Sequence, residues 1–129
     1  MYADSSALVK LVVTEPESQA LESYLERADR VFSSEITDVE VVRVARRLEG
    51  DRGIAKANEV LEKVSLLEFD SQARQRAKDL EPTTLRSLDA IQVASALHLH
   101  YVDVVFVGYD RRLQEAAEAA GLKIESPGA

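Results

Sequence analysis

Four acidic side chains stand where carboxylates commonly do chemistry: Asp4, Glu40, Asp89 and Asp110. Asp4 follows a short opening, Met1-Tyr2-Ala3, and Asp110 follows soon after the apolar run Val104-Val105-Phe106-Val107. Asp89 opens the stretch from Leu88 to Leu99, and between Arg86 and Asp103 it is the only formal charge. Glu40 lies in a candidate helix after Val31-Phe32-Ser33. Carboxylates brought together repel: at an effective dielectric of about 20, two unit charges roughly 4 Å apart cost about 4 kcal/mol. They stay ionised only if a cation joins them, and otherwise some hold protons. Oxygen ligands without His or Cys suit Mg²⁺ or Mn²⁺. Sites of that kind cleave phosphodiesters, one metal activating a water and another stabilising the leaving oxygen.

Each acid also has a plainer role open to it. Asp4 and Asp110 are suitable helix N-caps, and Asp89 suits the positive end of a helix dipole. Glu40 can pair with Arg43 or face solvent, and Glu35 and Asp38 compete with it for the second acidic position. His98 and His100 close the apolar stretch, where a helix C-terminus favours them structurally. Arg111 and Arg112 beside Asp110 either touch a phosphate or lie at the surface. There is no Ser/His/Asp arrangement, phosphate-binding loop or glycine-rich dinucleotide fingerprint.

The elements that must position these acids alternate. Short strands are expected at Met1–Ala3, Val31–Ser33, Ser65–Phe69, Val104–Val107 and Lys123–Glu125. A buried helix over Ala7–Val13 follows the first. Thr14-Glu15-Pro16-Glu17 reads as a capping box for a helix carrying Leu21, Tyr24, Leu25 and Ala28. Ser34 caps a helix through Leu48 despite four valines, which favour strands. Gly50 and Gly53 bracket a turn before an amphipathic helix, Ile54 to Val64. Asp70 caps a short helix, and Leu88–Leu99 is apolar nearly all round, the mark of burial. A last helix runs from Asp110 to Gly121. Strands alternating with helices predict an α/β fold with a mostly parallel central sheet of about four to five strands. Ligands of such sheets bind beyond the strands' carboxyl ends, where Asp4 and Asp110 fall.

The 129 residues suit one domain, residues 1–129, and 46% apolar residues support a packed core. The chain has no cysteine, which rules out disulfides and thiolate metal sites and is compatible with a reducing cytoplasm. No apolar run reaches membrane-spanning length, and no signal or transit peptide is evident. A net charge of −7 argues against nucleic-acid binding through bulk positive charge.

Three segments carry a resemblance. Asp4-Ser5-Ser6-Ala7-Leu8-Val9-Lys10, Leu88-Asp89-Ala90-Ile91-Gln92-Val93-Ala94-Ser95-Ala96 and Phe106-Val107-Gly108-Tyr109-Asp110-Arg111-Arg112-Leu113 resemble the three main motifs of PIN domains. The pattern is most similar to VapC-type toxins of prokaryotic toxin–antitoxin pairs and runs from Asp4 to about Pro127. The resemblance implies a cytoplasmic, Mg²⁺- or Mn²⁺-dependent endoribonuclease, a homodimer, and a small cognate antitoxin occupying the active-site groove. Its acidic quartet carries over to Asp4, Glu40, Asp89 and Asp110. Any RNA groove would then use local cations, with Lys10, Arg43, Arg46, Arg47, Arg111 and Arg112 as candidates. Two residues depart from the family pattern. Gly108 stands where such proteins usually carry Thr or Ser, so a hydroxyl that positions water or metal is missing. Gln92 replaces a frequent His, an exchange expected to matter little. Gly108 motivates one alternative, a PIN-like module that dimerises and binds with poor catalysis. A receiver-like acidic pocket is another, though no lysine stands near Val107-Gly108 to serve a phosphate switch.

Overall fold

Five short parallel strands form one sheet in the computed structural model, which describes residues 1–99 and 103–129. They are β1 (Tyr2–Ala3), β2 (Phe32–Ser34), β3 (Ser65–Leu67), β4 (Val105–Val107) and β5 (Lys123–Glu125). Among the described residues the helices are α1 (Ser5–Val12), α2 (Ser18–Leu25), α3 (Glu35–Glu62), α4 (Ser71–Asp79), α5 (Ser87–Leu97) and α6 (Arg111–Ala119).

The strand order is β3-β2-β1-β4-β5. From β1 the chain builds outward in one direction through β2 and β3, and in the other through β4 and β5. The gap between β1 and β4 is therefore the point where the winding reverses, and ligands of open parallel sheets bind there. Receiver domains use a different order, 2-1-3-4-5, so this topology overturns the receiver-like alternative.

Alternation along the central strands sends side chains to two cores. Ala3 and Val107 pack with Leu8, Leu21, Val41 and Leu61 from α1, α2 and α3. Tyr2 and Phe106 face the other way and join Val93, Ala96, Leu113 and Ala117 from α5 and α6. Their rings stack with centroids 5.4 Å apart. Both faces are covered, as a parallel sheet requires.

Caps begin most helices as the residue types predict. Asp4, Ser34, Asp70 and Asp110 each accept a bond from a backbone N–H in the helix that follows. The capping box at Thr14–Glu17 does not form. The residue before α2 is Glu17, whose side chain makes no cap bond, and the Ser18 hydroxyl instead accepts from the Glu15 N–H and donates to the Lys10 carbonyl. In α3 only Gly50 leaves helical geometry, at φ 57° and ψ −140°, while Gly53 stays helical. Past the break the second half of α3 turns back on the first, bringing Gly53 against the Ala45 carbonyl. The valines do not prevent the first half, because Ser34 caps it and Val41 is fully buried.

Candidate active site

The site grows from the end of β1. Tyr2 and Ala3 pair with Phe106 and Val107, so the chain leaves both central strands at the same level. The Asp4 N–H donates to the Val107 carbonyl at 3.1 Å, and Asp4 then turns into α1. Its Oδ1 accepts from the Ala7 N–H at 3.0 Å and from the Ser6 hydroxyl at 2.6 Å. Asp4 is thus an N-cap, as its residue type allows, but capping engages only one of its oxygens. The carboxylate is 1% exposed. Among the described residues, Asp4 Oδ2 is the one buried side-chain polar atom without a hydrogen-bond partner.

An unpaired buried carboxylate oxygen is costly, and the group responds by holding its proton. The Asp4 carboxyl is pushed up to about 6 by burial, which outweighs the opposing hydrogen bonds from Ser6 and Ala7, and repulsion from Asp110 and then Glu40 adds a smaller rise. The Asp89 carboxyl, half-buried in the first turn of α5, is also pushed up, by burial and then by Asp110, with Glu40 adding to it and Arg86 opposing. Asp110 and Glu40 act on both groups, so the four carboxylates share one electrostatic neighbourhood. Among the described residues, no group of three or more His, Asp or Glu side chains stands close enough together to hold a metal ion. The donor set, all oxygen with one buried oxygen unpartnered, fits a hard divalent cation.

Glu40 differs from its two competitors. Its Oε1 accepts from the Ser5 hydroxyl at 2.8 Å and from the Gln92 amide at 2.9 Å, which ties it to α1 and α5. Glu35 is exposed and accepts from the Phe69 N–H at 2.8 Å, fastening the end of β3. Asp38 is half-buried in the first turn of α3.

Two residues have roles that reading the chain missed. Gly108 makes room. A Cβ at this position would lie 2.5 Å from Asp4 Oδ2 and 2.8 Å from its Cγ, so the carboxylate occupies the space a side chain would fill. The nearby hydroxyl comes from Ser6, which bonds Asp4 and accepts from the Tyr109 N–H at 2.9 Å. Gln92 is buried at the centre of a polar network, taken up below. Its neutral amide inside an apolar stretch carried no charge to mark it.

The other candidates scatter. Lys10 is committed to Glu15 and Glu17 and lies 4.7 Å above the Tyr109 ring. Arg43, Arg46 and Arg47 line an open groove with Glu40 and Leu88. Arg111 is exposed and reaches Glu115 at 3.9 Å, and Arg112 is exposed. His98 ends α5 at the pole opposite Asp89, 3.9 Å from Asp70, a structural position. His100 lies outside the described residues.

Fold and motif order agree with comparison to known families, which matches the PIN domain over residues 1–119. The chain belongs to the PIN-domain family. Among its relatives, the Mycobacterium tuberculosis protein named Ribonuclease VapC35 is 39% identical, covering 99% of this chain and 97% of the relative. Ribonuclease VapC47 of the same species is 33% identical, covering 100% and 98%. The crystal structure of DNA-bound VapBC from Salmonella typhimurium shares the fold, with a TM-score of 0.78 at 20% identity over 97% of this chain and 96% of that one.

Proposed function

We propose that this chain is a divalent-metal-dependent endoribonuclease and the toxin of a toxin–antitoxin pair. The observation that carries the chemistry is the Asp4 carboxylate, fully buried, with Oδ2 unpartnered at the sheet's reversal point and with Asp110 and Glu40 acting both on it and on Asp89. Kinship with proteins named Ribonuclease VapC supports RNA as the substrate. The same kinship supports Mg²⁺ or Mn²⁺ as the cofactor.

In this reading Asp4, Asp89 and Asp110 hold the metal, directly or through water. Glu40 binds it as well, or orients the attacking water and takes its proton. A bound cation supplies charge that offsets the clustered carboxylates and polarises the phosphodiester. Gly108 keeps Asp4 seated, and Ser6 fixes which oxygen faces the helix. Arg43, Arg46 and Arg47 receive backbone phosphates beside the site.

A small antitoxin, a homodimer and a cytoplasmic location belong to the same proposal, and the fold-level likeness to VapBC supports the first of these. No helix among the described residues is long and apolar enough to cross a membrane. The test is cleavage of RNA by the purified chain with Mn²⁺. The expected result is cleavage by the native chain and none by Asp4→Asn or Asp89→Asn, with toxicity on expression lost in parallel. Full activity in the pure double variant would refute the assignment.

A further inference from the structure

We propose that Gln92 is a positioning residue that sets which oxygen of Glu40 faces the site. The inference rests on Glu40 being a site acid. Gln92 is 2% exposed and lies one turn beyond Asp89 on α5. Its Oε1 accepts from the Tyr2 hydroxyl at 2.6 Å. Its Nε2 lies 2.8 Å from Thr37 Oγ1, 2.9 Å from Glu40 Oε1 and 3.0 Å from Ser5 Oγ.

Chemistry fixes the orientation of this amide. An ionised carboxylate only accepts hydrogen bonds, so the NH₂ end must face Glu40 and the carbonyl end must face Tyr2. Tyr2 cannot drift, because it is fully buried and stacked on Phe106. An amide nitrogen has two hydrogens for these three oxygens. The Ser5 hydroxyl spends its own hydrogen on Glu40 at 2.8 Å. Ser5 is then left as an acceptor, and the two amide hydrogens are shared among Thr37, Glu40 and Ser5, the shorter contacts at 2.8 and 2.9 Å being to Thr37 and Glu40. Glu40 Oε1 then receives two donors, one from α1 and one from α5, and Oε2 is left for metal or water. The line from Tyr2 through Gln92 to Glu40 joins β1, which Asp4 directly follows, α5, which carries Asp89, and α3.

Two readouts test this. In the ¹⁵N spectrum of the full-length, metal-free chain, the Gln92 side-chain amide should be shifted and protected from solvent exchange. Glu40→Ala should move it toward a free amide, and Tyr2→Phe should broaden it by freeing the carbonyl end. A rapidly exchanging amide, unmoved by Glu40→Ala, would overturn the proposal. The second readout is a kinetic cycle. Gln92→Leu should lower kcat for Mn²⁺-dependent RNA cleavage about 10- to 100-fold, the usual cost of losing a group that orients a ligand, with KM little changed. In a Glu40→Ala background the same substitution should cost nothing further. Equal losses in both backgrounds would mean that Gln92 does not act through Glu40. Should Gln92→Leu fail to fold, Tyr2→Phe takes its place in the cycle. Should the native chain cleave no RNA, the nuclease reading falls, and the amide spectrum still decides the position of Gln92.

Discussion

Asp4 contributes to how the metal-free protein responds to pH, and Asp89, pushed the same way, adds to it. The Asp4 carboxyl rises from an ordinary 3.8 to about 6 on folding. Between those values the folded chain keeps the proton and the unfolded chain releases it. Stability therefore falls as pH rises through the window, and the loss is complete above about pH 6, at roughly 3 kcal/mol. Asp4→Asn keeps an N-capping side chain and removes the charge. In metal-free urea titrations the variant should gain roughly 1–2 kcal/mol on the native chain between about pH 5 and 7.5. Saturating Mn²⁺ should stabilise the native chain and close that gap. A gap that ignores pH would show that Asp4 does not titrate in this range. Gly108 yields a second prediction at this scale. Restoring the hydroxyl with Gly108→Thr would drive a Cβ into the Asp4 carboxylate. We expect a loss of about 1–3 kcal/mol in stability and weaker Mn²⁺ binding by calorimetry. Tighter binding would show that the missing hydroxyl, and not the space, is what matters. The charged members of the candidate site were readable as residue types in order along the chain. Gly108 and Gln92 were not, since their roles depend on how closely other segments approach them.

At the scale of elements, caps and strands were legible because they are local. Asp70, Ser34 and Asp110 announce their helices by residue type, and Val105–Val107 by a continuous apolar run. The misreadings came where tertiary contacts decide. The box at Thr14 does not form because α2 starts four residues on, at Ser18, whose hydroxyl is held by the Glu15 N–H and the Lys10 carbonyl. Leu88, read as part of an all-round apolar helix, is 49% exposed beside the arginine groove. The break in α3 is testable. Gly50 has open space where a Cβ would go, but its backbone lies at φ +57°. Gly50→Ala should cost about 1–3 kcal/mol from backbone strain alone, read as a lower urea midpoint. Activity well below the transition should be unchanged, because the break is remote from the acids. An unaltered midpoint would mean that α3 continues through Gly50 without strain.

For the whole molecule, the contrast is between a net charge of −7 and a polyanionic substrate. Long-range attraction cannot recruit RNA to such a surface, so contact must depend on a local patch. Arg43, Arg46 and Arg47 form the cluster that borders Glu40, while Lys10 is taken up by its own acidic neighbours. Reversing the three arginines to Glu in an Asp89→Asn background, which should not cleave, should weaken single-stranded RNA binding. It should also flatten the slope of log affinity against log salt by about 0.7 per lost phosphate contact. Fluorescence anisotropy across a salt series measures both, and an unchanged slope would move the RNA path elsewhere.

The most direct measurement is anomalous diffraction from crystals of the native chain equilibrated with Mn²⁺ near pH 7.5. A manganese peak bonded to Asp4 Oδ2, with ligands drawn from Glu40, Asp89 and Asp110, is the predicted result. A chain that cleaves RNA with Mn²⁺ bound elsewhere and Asp4 Oδ2 bare would contradict it.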